Sequence, residues 1–183
     1  MNEKEKMLTG KLYNPLLDGL LEDRTFAKDL CYQYNNLKPS EIEKRTVLIK
    51  KLFNKTGNDF LIEPNFQCDY GYNIEIGENF YSNHNLVILD PAKVTFGNNV
   101  FIGPNCGFYT PEHPIEAEER NKMLEYAKPI TVGNNVWFGG NVTVLGGVTI
   151  GDNSVIGAGS VVTKNIPSNC VAVGNPCRVI KSI

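Results

Sequence analysis

The chain holds only two histidines, and one of them, His113, stands between Glu112 and Pro114 in a stretch dense with charge, with Glu116, Glu118, Glu119, Arg120, Lys122 and Glu125 close behind it. An imidazole with an ordinary pKa of about 6.5 changes charge near neutral pH, so the chemistry open to His113 is general acid–base work. A merely solvated surface imidazole is the plainer reading of the same residue. Metal chemistry is poorly served, because a catalytic zinc of the three-histidine type needs one imidazole more than His84 and His113 supply. The five cysteines, Cys31, Cys68, Cys106, Cys170 and Cys177, are odd in number, irregularly spaced and without a Cys-x-x-Cys pair, so they read as reduced, mostly buried thiols.

Those residues sit in a chain of two textures. Of its 17 glycines only Gly10 and Gly19 precede residue 57, whereas eight fall between residues 131 and 160. The first 55 residues carry 11 of the 18 Lys and Arg, lack alternation and read as helical. Phe26, Leu30, Tyr34 and Leu37 fall on one face of a helix. Ser40-Glu-Ile-Glu43, directly after Pro39, predicts a capping box that opens another helix, with Ile42, Ile49, Leu52 and Phe53 on its apolar side. Beyond residue 57 short β-branched runs alternate with Gly, Asn and Asp. A step of six from Val132 meets Val132, Phe138, Val144, Ile150, Ile156 and Val162 in an unbroken apolar ladder. Neither a helical nor a two-residue period produces it. A solenoid does, with a short strand on each flat face and a corner every six residues, at which glycine and asparagine tolerate unusual dihedrals. The segment 108–128 lacks the ladder and predicts a loop extruded from the coil, either functional or a tolerated insertion.

With 183 residues the chain has length for one full core and an appendage. Eighteen basic against 20 acidic residues give a net charge of −2, which leaves no electrostatic footprint for nucleic acid or an anionic membrane. No apolar run reaches transmembrane length and the charged N-terminus lacks a signal-peptide core, so a cytoplasmic location is expected.

The sequence resembles the maltose and galactoside O-acetyltransferase group of the hexapeptide-repeat acyltransferases. The resemblance runs through Gly10-Lys-Leu-Tyr13, Asp23-Arg24, the stretch ending at Arg45, Asn79-Phe-Tyr-Ser-Asn83, Glu112-His-Pro114, the run from Lys128 to Trp137, the run from Gly147 to Lys164, and Gly174-Asn-Pro-Cys-Arg178. It implies a mainly β fold, a left-handed parallel β-helix over 56–183 behind an N-terminal helical module at 1–55. It also implies a homotrimer with active sites between subunits, acetyl-CoA as cosubstrate without a metal, and a small sugar as acceptor.

Transfer of acetyl from a thioester to a hydroxyl needs a base, because an alcohol is a poor nucleophile while it keeps its proton. The resemblance puts His113 in that role. It implies acceptor contacts at Arg24, Asp69, Asn83 and Glu125, with Asn83 also beside the thioester. Coenzyme contacts fall on Gly140, Ala158, Thr163 and Lys164, with Arg178 and Lys181 at the phosphates, where cationic side chains make charge-assisted bonds. Two acidic acceptor positions of the relatives read Asn14-Pro15 and Pro91 here, so the acceptor is open among maltose, glucose and galactosides. Other readings are an acetyltransferase of an antibiotic or serine, a zinc enzyme on the same coil, and a non-enzymatic scaffold.

Overall fold

The computed structural model describes residues 1–183. Three helices come first: α1 (Glu3–Leu8), α2 (Leu20–Asn35) and α3 (Ile42–Leu52). Helix α1 opens on a complete capping box, in which the Asn2 side chain accepts the Glu5 N–H at 2.8 Å and the Glu5 carboxylate accepts the Asn2 N–H at 3.0 Å. The box expected at Ser40 and Glu43 does not form. Helix α3 starts at Ile42 with Glu41 as N-cap, so Glu43 stands at the second helical position instead of the third that the box requires; the Glu41 carboxylate accepts the Lys38 N–H at 2.9 Å and Lys44 Nζ at 2.6 Å. Helix α2 buries Ala27, Leu30, Cys31 and Tyr34; Phe26 and Ile42, expected on apolar faces, are exposed. The buried stripe of α2 is turned one residue from the expected one, and Phe26 instead lies under the Lys51 ammonium at 5.4 Å.

The coil begins with β1 (Phe60–Ile62), β2 (Phe66–Cys68) and β3 (Ile74–Glu75), one strand for each face of a triangular prism. A second turn runs through β4 (Phe80–Ser82), β5 (Leu86–Leu89) and β6 (Val94–Phe96), and β7 (Phe101–Ile102) and β8 (Gly107–Tyr109) begin a third. The chain then leaves the prism as β9 (Pro111–Glu112), α4 (Ala117–Arg120) and β10 (Tyr126–Ala127). It resumes with β11 (Ile130–Val132), β12 (Trp137–Phe138), β13 (Thr143–Leu145), β14 (Thr149–Ile150), β15 (Val155–Ile156), β16 (Val161–Val162) and β17 (Cys170–Val173), and ends in β18 (Arg178–Ser182). The faces read β1-β4-β7-β12-β15-β17-β18, β2-β5-β8-β13-β16 and β3-β6-β11-β14, parallel throughout except for β18, which closes the first face antiparallel.

The ladder residues Val132, Phe138, Val144, Ile150, Ile156 and Val162 are all buried, as the period of six requires. Phe108 is also a rung, fully buried and stacked edge-on to Phe96 and Phe138, so the excursion starts later than the sequence suggests and spans 111–127. It is not a bare loop, since β9 and β10 pair across it.

The corners divide two jobs between asparagine and glycine. Asparagine takes the left-handed backbone: Asn79, Asn99, Asn135, Asn153 and Asn169 all have φ between 54° and 59°. Their side chains also bond in a row from coil to coil, Asn135 Nδ2 to Asn153 Oδ1 at 2.9 Å and Asn153 Nδ2 to Asn169 Oδ1 at 2.8 Å. Most of the glycines that follow a rung have ordinary dihedrals and serve close approach instead. A Cβ on Gly133 would stand 2.2 Å from Asp152 Oδ1 and 2.8 Å from the Asp152 backbone nitrogen on the next coil.

The helices seat on the first turn through polar bonds as well as the shared core. The Asn35 amide both donates to the Phe66 carbonyl and accepts the Phe66 N–H, each at 2.8 Å. Buried Arg45 donates to the Ile62 carbonyl at 2.7 Å, Tyr34 donates to the same oxygen, and the Asn54 N–H takes the Ile74 carbonyl at 3.1 Å. One strand of each face thereby finds partners that a preceding coil would otherwise provide.

Candidate active site

The excursion leaves the prism at the corner that follows β8. His113 lies just past β9, where its Nδ1 is 3.0 Å from the Leu124 carbonyl oxygen on the returning segment ahead of β10. A carbonyl can only accept, so Nδ1 carries the proton and Nε2 keeps its lone pair. That nitrogen, on the half-exposed His113 side chain, stands 3.9 Å from Oε2 of the nearly buried Glu125. The gap is too long for a direct hydrogen bond.

Glu125 is held from the N-terminal segment. Its backbone exchanges two bonds with Tyr13, at 2.9 and 3.1 Å, and its Oε1 accepts the buried Tyr13 hydroxyl. Burial, and then the bond to Glu125, push the Tyr13 phenol far above its ordinary pKa, so it remains a donor. At the opposite end of the excursion the Glu112 carboxylate takes Tyr126 Oη at 2.7 Å and Lys128 Nζ at 3.0 Å, which fixes the strand that presents His113.

Asp69 and Tyr70 occupy the same corner of the prism two coils earlier, after β2. Burial raises the Asp69 carboxyl, the positive charges of Arg24 and Lys28 oppose that rise, and the negative charge of Glu125 adds to it. Arg24 projects from α2 over the Tyr70 ring, 6.0 Å from its centroid. Beneath them lies Asp90, fully buried, whose Oδ1 accepts the N–H groups of Asp69 at 3.0 Å and Tyr70 at 2.9 Å. Burial raises the Asp90 carboxyl to about 7, against the pull of those two bonds. Thus Arg24, Asp69, His113 and Glu125 of the expected site gather in one region, with Tyr13, Tyr70 and Asp90 as supports that were not anticipated. Tyr13 lies in the Gly-Lys-Leu-Tyr segment and Asp90 directly before Pro91, and no residue pattern marks either as a support.

The remaining expected residues lie elsewhere on the prism. Asn83, Gly140 and Ala158 follow β4, β12 and β15, along the corner between the first and second faces. Asn83 borders a hollow of about 400 Å³ with Tyr81, Phe101 and Trp137. Thr163 and Lys164 follow β16 on the His113 corner, exposed and near the far end of the stack, while Arg178 and Lys181 are exposed on β18. No hydrogen bond or ion pair joins any of these to His113. No three His, Cys, Asp or Glu side chains converge as a metal site, all five cysteines are unbridged and buried, and no helix is long and apolar enough to cross a membrane.

Comparison with known proteins matches residues 6–57 to the maltose acetyltransferase hexapeptide capping motif and residues 129–164 to the bacterial transferase hexapeptide (six repeats). Galactoside O-acetyltransferase of Escherichia coli is 51% identical over 179 residues, covering 98% of this chain and 88% of that protein. The structure of a maltose O-acetyltransferase from Clostridium difficile superposes with a TM-score of 0.99 at 51% identity, over 100% of this chain and 98% of the other. A galactoside acetyltransferase in complex with coenzyme A gives 0.97 at 50% identity, over 100% and 92%. Identity at that level over the whole chain, together with the same coil and the same helical cap, makes this protein a member of the maltose and galactoside O-acetyltransferase group of hexapeptide-repeat acetyltransferases.

Proposed function

We propose that the protein moves an acetyl group from acetyl-CoA to a hydroxyl of a sugar, with His113 as general base. The observation that carries the base is the bond from Nδ1 to the Leu124 carbonyl, which fixes the tautomer and leaves Nε2 free. The acceptor O–H donates to Nε2 as its oxygen attacks the thioester carbonyl carbon. Imidazolium forms within reach of Glu125. Collapse of the tetrahedral adduct breaks the C–S bond, and the proton held on Nε2 passes to the departing thiolate, which returns the histidine to its starting state. Arg24, Asp69 and Glu125 supply a fork of donors and two carboxylates for vicinal hydroxyls, which suits a sugar. Asp69 and Glu125 then do the work of the acidic positions that read Asn14 and Pro91 here.

Asn83, Gly140 and Ala158 line a different corner from the one that bears His113, so a single chain holds the thioester-side residues and the base apart. A homotrimer with its sites between subunits brings one chain's corner against the next chain's excursion. Thr163, Lys164, Arg178 and Lys181 are exposed cations and a hydroxyl suited to the coenzyme phosphates. The test is thiol release from acetyl-CoA with glucose, maltose and galactosides, for the protein and for His113→Ala. Turnover should fall roughly 10²-fold or more with coenzyme binding kept; near-normal turnover in the variant removes His113 as base.

A further inference from the structure

Helix α2 lies along β2 in a fixed antiparallel register. Arg24 stands over Tyr70, Cys31 Sγ is 3.8 Å from Cys68 Sγ, and Asn35 is bonded both ways to Phe66. Between them, on the outside, runs a polar groove of about 410 Å³ lined by Lys28, Tyr32, Asn35, Asn36, Asn65 and Gln67. It opens from the acceptor region, because Lys28 is one helical turn past Arg24 and its charge acts on Asp69. The distance from Arg24 to Asn35 along the helix is about 16 Å, longer than one sugar ring.

Tyr32 is 70% exposed, and neither its hydroxyl nor the Gln67 amide has a partner in the chain. Asn36 spends Nδ2 on the Tyr32 carbonyl at 2.8 Å and keeps its Oδ1 free. Asn35 is locked by Phe66, so the floor is preorganised. Amide planes match pairs of neighbouring hydroxyls, and a flat aromatic ring covers the apolar face of a pyranose. No carboxylate lines the groove and one cation does, which favours neutral or acidic glycans over those with free amines.

We propose that this groove is a distal subsite for the further rings of an oligosaccharide acceptor whose reacting ring sits at His113. The proposal rests on the sugar O-acetyltransferase reading. It makes the preferred substrate a glycan of three or more units, with Tyr32 and Gln67 setting the preference for length.

Acetyl transfer is measured across glucose, maltose, maltotriose and maltotetraose, with Tyr32→Ala and Gln67→Ala beside the unaltered protein. Expected is a kcat/KM that rises about fivefold or more beyond maltose, and its loss in both variants with the maltose value unchanged. Equal values along the series, or a rise that survives both substitutions, overturns the subsite and leaves the acetyl transfer intact. If no glycan is acetylated, the reading of the reaction fails, and saturation-transfer NMR with maltotetraose decides the groove alone. Saturation that disappears in Tyr32→Ala supports the groove, and no saturation of maltotetraose by the unaltered protein overturns it.

Discussion

Asp90 is the residue at which burial and function pull against each other. Its carboxyl is fully buried, one oxygen holds the Asp69 and Tyr70 N–H groups, and the other oxygen has no partner. Burial raises its pKa to about 7, so the folded protein binds a proton that the unfolded chain has already lost. For an acid with a raised folded pKa, stability is greatest below the unfolded value near 4 and declines as pH climbs through about 7. Asp90→Asn keeps an acceptor oxygen for both N–H groups and abolishes the charge. Its melting temperature should therefore match the parent near pH 4 and exceed it at pH 8, where the gain in unfolding free energy is on the order of a few kcal/mol at most. Equal pH profiles in thermal melts of the two proteins would show that Asp90 is charged without cost. Asp90→Ala should instead loosen the Asp69–Tyr70 turn and raise the KM for sugar more than that for acetyl-CoA.

At the scale of elements the coil was legible before any coordinate, because a six-residue ladder has one economical solution, and the histidine-bearing excursion was legible because the ladder stops there. The division of labour at the corners was not. Both Asn and Gly tolerate a positive φ, and only the neighbouring coil shows that Gly133 is there for space while Asn135 is there for conformation and for its side-chain row. Gly133→Ala is expected to cost about 1–3 kcal/mol, since the new methyl meets backbone that cannot swing aside. Urea titration should show it as a lower midpoint at unchanged slope, whereas full stability would mean that the coils can spread. The capping box at Ser40 failed because the helix starts one residue late, at Ile42 after Glu41, a shift that no pattern of residue types discloses.

For the whole molecule the separation of Asn83 from His113 makes a prediction about assembly. If each site draws the histidine from one subunit and Asn83 from its neighbour, then chains carrying His113→Ala mixed with chains carrying Asn83→Ala contain some interfaces with both native residues. Random mixing restores about a quarter of the native sites, although each variant alone is impaired. Activity of the co-expressed mixture that stays at the average of the two variants would place the complete site within a single chain.

The bonds that seat the helices on the first turn have a consequence for what the protein does not become. A stack of identical coils is a template at both ends, and two such molecules could add to each other without limit, as fibres do. Here Asn35, Tyr34, Arg45 and Asn54 already occupy backbone groups of all three strands at one end. At the other end β18 runs antiparallel over β17 and carries exposed Arg178 and Lys181 outward. The termini of the chain act as stoppers, so growth by end-to-end addition is closed off and the flat sides of the prism are left as the surfaces for association.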